Sequence, residues 1–439
     1  MKRKTYLKLT IALFCTTLII TSACNKGYSV DKDVFNNGSS VRNMIVVISD
    51  LHLGANLDYA EINTNLKPLE NFLNKIRTSA NVKELVIAGD MLDEWFVPAN
   101  VDTYNGKDQT DFVQRIAKAN KEVIAVFNRI IQEKKILVTY VPGNHDLTIT
   151  KENVALILPG INQARDNVLG LGTYTPASFP ELAIEHGHRY NFFCAPDPIS
   201  NQSAAPGTIM PPGYFFTRIA TTHVMQGLPS GQGVVTPITR NASGGESQNN
   251  LYEYWASWKW AVQLFTLTNK FEEKIMITNV NGLTATYSVN DLLPYQATPG
   301  GVINVNLYKG IQDTWQERQT RNLVNIIIPT EQAIVGAASD TQTDNQAKFQ
   351  YFLNPKSNKR IVIFGHTHLA RIEASNNYLG KKSIYANSGT WIDHSTKGPG
   401  TTFIIITPQD KKTSPETLVR LYNFENQVIT EMAADSLRI

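Results

Sequence analysis

Six of the eight histidines in this chain fall into short polar motifs that also hold aspartate and asparagine. Asp50 and His52 stand two apart in SDLHLG, so on an extended chain they point to the same side and can reach one ion. Asp90 and Asp93 follow in AGDMLDEW, where Gly89 allows close backbone approach and a carboxylate has two oxygens with which to bridge cations. VPGNHDL then offers an amide oxygen, a titratable ring and a carboxylate at Asn144, His145 and Asp146. The last donors come in two parts, His186 and His188 in IEHGHRYN, and His366 and His368 in FGHTHLAR. Oxygen and imidazole donors without thiolate suit Mn²⁺, Fe or Zn²⁺. Each motif alone has a plainer account: Asp50 as a capping residue beside a surface histidine, Asp90 as a helix N-cap, Gly143–Asn144 as a turn. His223 and His394 stand outside the motifs and read as a polar helix position and a loop.

Short β-branched runs precede these motifs and must position them. Met44–Ser49, Lys83–Ala88, Lys135–Val141 and Arg360–Phe364 read as buried strands, each ending at a polar cluster. Helical spacing of apolar residues around Leu66–Arg77 and Asp111–Lys134 makes strand and helix alternate over the first 150 residues. Ser383–Ser388, Thr401–Thr407 and Thr417–Phe424 then follow as consecutive strands with little helix between them. The fold class expected is α/β, with two packed mixed sheets flanked by helices in an αββα sandwich. Residues 195–350 change character: stretches rich in Pro, Ser and Gly interrupt aromatic helical segments such as Leu251–Leu267, and they read as an insertion or cap. Its Tyr252, Tyr254, Trp255, Trp258, Trp260 and Phe265 fit packing onto the main domain, with a lipid- or substrate-facing role as the alternative.

D-x-H, G-D-x-x-D, G-N-H-D, a single-histidine motif and G-H-x-H, in that order, resemble the calcineurin-like metallophosphoesterases, over residues 44–193 and 359–424. YANSGTW at Tyr385–Trp391 looks like the closing N-x-G-x-W strand of that family. The resemblance implies Asp50, His52, Asp90 and His368 on one metal ion, and Asp90, Asn144, His186 and His366 on a second, with Asp90 as the bridge. It implies that His145 stands near the leaving group with Asp93 as its orienting partner, and that a hydroxide held between the two ions attacks phosphorus. His188 occupies the place where some relatives carry Asp, and its role stays open. Asn144 is also a candidate for substrate contact. Arg371, three residues after His368, is a candidate for phosphate contact, with a structural role as the alternative. The activity implied is hydrolysis of a small phosphomonoester, phosphodiester or pyrophosphate. A catalytically silent metal-bound scaffold and a metallohydrolase acting on other bonds are the competing readings.

Lys2, Arg3, Lys4 and Lys8 precede an apolar run from Leu9 to Ile20 without acidic residues, the pattern of a secretory signal. Removing those four cations takes the formal charge from +3 to −1, which leaves no electrostatic footprint for nucleic acid. The run ends in Thr21-Ser-Ala-Cys24, which resembles a bacterial lipobox. Cys24 would then carry lipid after removal of residues 1–23, and residues 24–43 would tether a domain spanning 44–430 to a bacterial membrane, in the periplasm or at the outer membrane. An ordinary cleaved signal or an uncleaved anchor are the alternatives, and all three put the domain outside the cytoplasm. Cys15 lies in the apolar run, so only Cys194 remains and no internal disulfide is expected.

Overall fold

The computed structural model describes residues 33–231, 233–339, 341–410 and 414–439. Cys24, the apolar run and the first part of the tether lie outside these residues. The chain begins as alternating strand and helix: β1 (Met44–Ile48), α1 (Leu66–Thr78), β2 (Val82–Ala88), α2 (Gln109–Ala119), α3 (Lys121–Glu133), β3 (Leu137–Val141), α4 (Lys151–Ile157), β4 (Asn162–Gln163) and β5 (Leu182–Ile184). The insertion follows with α5 (Gly213–Met225), α6 (Gly245–Leu264) and the short hairpin strands β6 (Met276–Ile277) and β7 (Thr286–Tyr287). Next come α7 (Val289–Leu292), β8 (Tyr295–Gln296), β9 (Ile303–Asn304), α8 (Ile311–Arg321), α9 (Thr330–Gly336) and α10 (Gln342–Ala347). The chain closes with β10 (Ile361–Phe364), β11 (Arg371–Asn376), β12 (Lys382–Asn387), β13 (Thr402–Thr407), β14 (Thr417–Glu425) and β15 (Val428–Leu437).

Two sheets face each other, as the expected αββα sandwich requires. One has seven strands in the order β15-β14-β13-β1-β2-β3-β4, the other four in the order β11-β12-β10-β5. β1, β2, β3 and β4 are mutually parallel, while β13 returns antiparallel beside β1. Alternation along a strand separates its two faces. Ile45 and Val47 therefore join Val86, Ala88, Ile184, Ile361, Ile363 and Ile384 between the sheets, while Val46 and Ile48 point to the helical layer. Against them α1 turns the stripe Leu69, Phe72, Leu73 and Ile76, all buried, at the spacing one helix face demands.

The helical stretch expected over 111–134 is divided. Asn120 Nδ2 donates to Ile116 O at 2.8 Å, ending α2, and to Gly54 O at 2.9 Å, tying that end to the loop after His52. Residues 33–43 are not all tether: Phe35 is 2% exposed and packs on Phe72 and Phe403, while Asn81 Nδ2 binds Ser39 O and Val41 O. One aromatic side chain, with Val34 beside it, anchors the stretch. Strand pairing also runs on past residue 430, because β15 pairs with β14 as far as Leu437.

The insertion shares its core with the helical layer of the sandwich. Tyr254, Trp255 and Trp258 of α6 are buried there with Phe192 and Phe193, whereas Trp260 is 54% exposed. Two fully buried arginines stitch it down. Arg218 of α5 donates to the carbonyls of Val97, Pro98, Ala99, Val101 and Ile277. Arg318 of α8 donates to those of Pro196, Phe192 and Ala195. Among the described residues no helix is long and apolar enough to cross a membrane.

Candidate metal centre

Parallel strands bring the polar motifs to one edge. Asp50, Asp90 and Asn144 follow β1, β2 and β3, and His186 and His366 follow β5 and β10 of the facing sheet. Carboxyl ends of parallel strands are where α/β folds gather reactive groups. Here the backbone bends sharply: Asp50, His52, Asp90, His366 and His368 all have φ between 47° and 69°. Non-glycine residues avoid this left-handed region, and its concentration on five motif residues marks a place where side-chain direction outweighs backbone comfort. Glycines clear the space around them. A Cβ on Gly89, itself at φ 89°, would lie 2.4 Å from the His186 ring, and one on Gly143 would lie 2.1 Å from Asp90 Oδ1.

The donors converge in two overlapping groups, one of Asp50, His52 and His368 and the other of Asp50, Asp90 and His186. Within the first, His368 Nε2 lies 3.1 Å from Asp50 Oδ1 and 3.3 Å from His52 Nε2. In the second, His186 Nε2 stands 3.1 Å from Asp90 Oδ2 and 3.1 Å from Asn144 Oδ1. The ring's Nδ1 lies 2.9 Å from Ala88 O, so Nδ1 carries the proton and Nε2 faces the donors. Asp90 Oδ2 is also 3.8 Å from His52 Nε2, which sets Asp90 between the groups, while Asp50 is common to both. The His366 ring packs 5.1 Å from that of His186. His188 is brought close but not into either group: its Nε2 meets Gly170 O at 3.0 Å.

Asp93 binds two histidines at once. Its Oδ2 meets His52 Nδ1 at 2.8 Å and its Oδ1 meets His145 Nδ1 at 2.9 Å, while Oδ1 also accepts from Trp95 N and Phe96 N. The indole of Trp95 stacks on the His145 ring at 5.0 Å, and His145 is 12% exposed, so the ring is held on two sides and open on another. Asp146 braces the turn from beneath, accepting from Gly143 N, Met91 N and Leu92 N. Its burial raises the carboxyl to about 6.

Burial opposes charge on Asp50 and Asp90, yet the histidines facing them overcome it and hold both carboxyls below the ordinary value. His186 feels the reverse: burial works against its proton, but Asp90 and Asp50 raise it to about 9. His366, buried against His186, is pushed well below the usual histidine value. A field of ionised carboxylates that draws a proton onto His186 draws a divalent cation by the same attraction. Donor type, convergence and glycine-cleared space all fit metal ions.

Residues 44–205 match the family model for the calcineurin-like phosphoesterases. No curated protein matches the chain. The phosphoesterase match covers the first three motifs and His186, and the strands that carry His366 and His368 complete the two-sheet fold. Domain and donor groups together support a metal-dependent phosphoesterase.

Arg371 and Glu61 add to the sequence reading. Arg371 is engaged by carboxylates, with Nη2 at 3.1 Å from Asp344 and Nη1 at 3.0 Å from Glu373, and its ring-stacking partner is Tyr385. The structural alternative describes it better than phosphate contact. Glu61, which no motif contains, places Oε2 at 3.0 Å from His52 Nδ1 and belongs to a further group with Asp93 and His145. Its only sequence signal is an acidic residue nine positions after His52 in a polar loop. His223 is held by Thr266 O at 2.6 Å, in agreement with a structural role.

Proposed function

We propose that the chain hydrolyses a small phosphomonoester, phosphodiester or pyrophosphate at this centre, with Asp50, His52, Asp90, Asn144, His186, His366 and His368 holding two divalent ions (Mn²⁺, Fe or Zn²⁺). The observation that carries the reading is the pair of overlapping Asp/His groups beside a separate, carboxylate-oriented His145. When bound, the ions supply Lewis-acid polarisation of the phosphoryl oxygens.

The chain's own residues do the rest. Burial disfavours a charged His145, but Asp93 beside it prevails and raises its proton affinity above the ordinary histidine value. With Nδ1 fixed on Asp93, Nε2 is the atom that can give a proton to the leaving oxygen. Trp95 stacking limits rotation of that ring, so the proton is delivered from one direction. Asn144, whose Oδ1 faces His186, has an amide nitrogen left to donate to a phosphoryl oxygen.

The same reading holds the enzyme outside the cytoplasm, exported by the basic-apolar N-terminus and attached through lipid on Cys24. Purified protein loaded with Mn²⁺ is expected to cleave an aryl phosphate or bis-aryl phosphate and to lose that activity on chelation. Equal activity in Asp90→Ala, or turnover of peptides in preference to phosphate esters, would remove the proposal.

A further inference from the structure

The tail of the insertion touches both loops that carry the late histidines. Asp344 on α10 is 2% exposed, and its carboxylate accepts from Thr367 Oγ1 at 3.1 and 3.2 Å. Thr367 is the residue between His366 and His368. Asn387 Nδ2 joins the same carboxylate at 3.1 Å and reaches Gly365 O at 2.7 Å and Thr367 Oγ1 at 3.0 Å. Tyr385 donates its hydroxyl to Asp344, and Arg371 pairs with it. A buried carboxylate with this many partners would be costly were its place arbitrary.

One turn further on, the π-helical segment Lys348–Phe352 reaches the other loop. Tyr351 donates to Glu185 Oε1 at 2.9 Å, immediately before His186, and Tyr190 and Arg189 hold the same carboxylate. Thr343 fills the space over Gly187, where a Cβ would lie 3.3 Å from its Cγ2. A single segment, residues 342–352, thereby holds Glu185 and Gly187, which flank His186, and Thr367, which lies between His366 and His368. π-helical turns are rare and concentrate at functional positions.

We propose that residues 342–352 form a clamp that sets the metal-binding geometry, with Asp344 and Tyr351 as positioning residues for His366, His368 and His186. This rests on the metal-centre reading above. The insertion is then part of the centre's support and not only a cover over it. Partners that orient metal ligands typically govern affinity by ten- to a hundredfold.

Thr367→Val removes the hydroxyl that links Asp344 to the histidine loop while leaving the Arg371 ion pair intact. Tyr351→Phe cuts the other grip. Each variant is compared with wild type for Mn²⁺ affinity and stoichiometry by calorimetry, for melting in chelator, and for phosphatase activity against Mn²⁺ concentration. The clamp predicts affinity lower by about ten- to a hundredfold, melting in chelator close to wild type, and activity recovered at high Mn²⁺. Wild type binding two ions while both variants bind them with unchanged affinity would overturn the clamp alone. So would affinity loss no larger than the added unfolded fraction accounts for. Wild type binding no ion would overturn both the clamp and the metal-centre reading.

Discussion

Asp93 Oδ1 lies 2.9 Å from His145 Nδ1. The carboxylate is fully ionised in this setting: burial opposes its charge, but His145 and His52 hold it well below the ordinary value. Asp93→Asn keeps the shape and removes the charge. Positioned proton transfer contributes about 10²- to 10⁴-fold, so kcat should fall by an amount in that range. Because Asp93 raises the His145 value, the variant's ring should lose its proton at lower pH, and the alkaline limb of the kcat/KM profile should move down. A profile that keeps its alkaline limb would show that His145 is not the acid.

Gly143 passes against Asp90 so closely that any side chain collides with it. Gly143→Ala should therefore displace the Asp90 carboxylate, lowering Mn²⁺ affinity on the order of tenfold or more, as for other disturbed ligand supports. Metal analysis after dialysis against limiting Mn²⁺ checks this. Full retention of both ions would mean the turn relaxes without moving Asp90.

Glu94 is buried among Tyr104, Thr148 and Gln109, all neutral donors. Burial raises its carboxyl above the ordinary value despite them. A raised carboxyl keeps its proton longer in the folded chain, so its contribution to stability is complete below the ordinary carboxyl value. That contribution is lost as pH rises through the raised value. Glu94→Gln does not titrate. Wild-type stability relative to this variant should decline as pH rises above about 4, measured by denaturant unfolding in chelator. A difference that grows with pH would refute the assignment.

Arg218 satisfies five carbonyls, those of Val97, Pro98, Ala99 and Val101 and that of Ile277. Arg218→Met fills similar volume and removes the guanidinium donor from all five; Pro98 O and Ala99 O keep the backbone N–H groups of Val101 and Ile277, whereas Val97 O and Val101 O lose theirs. Each unsatisfied buried group costs about 1–3 kcal/mol, so destabilisation of at least about 2 kcal/mol is expected. Urea unfolding of the two proteins measures it directly.

The strand ends were readable because β-branched runs such as MIVVI and IVIF stop abruptly at Asp or His motifs. β15 was not, since VITEMAADSL lacks a buried face: only Leu437 is buried, and the strand depends on pairing with β14. The division of Asp111–Lys134 at Asn120 was hidden for a similar reason, because apolar spacing continues across it and the break is fixed by the Asn120 amide, which binds Ile116 O and Gly54 O. At the site, residue types and order revealed the donors gathered at the strand ends. Glu61 and Asp344 escaped because their importance lies in what folds against them, His52 in one case and Thr367 in the other. Phe35 carried a hint, a lone aromatic in a polar stretch, whose meaning depends on Phe72 and Phe403.

β1 sits between β2, which follows it directly, and β13, which arrives only with Thr402–Thr407. His52 likewise waits for His368, 316 positions away. Pairings this distant in sequence close the largest loops and form late. A growing chain can complete β1, β2 and β3 while one flank of β1 and three of the seven proposed donors, His186, His366 and His368, are still unmade. The centre is thus complete only once the last strands are in place, and a chain cut short of β10 would hold Asp50, Asp90 and His186 without His366 and His368.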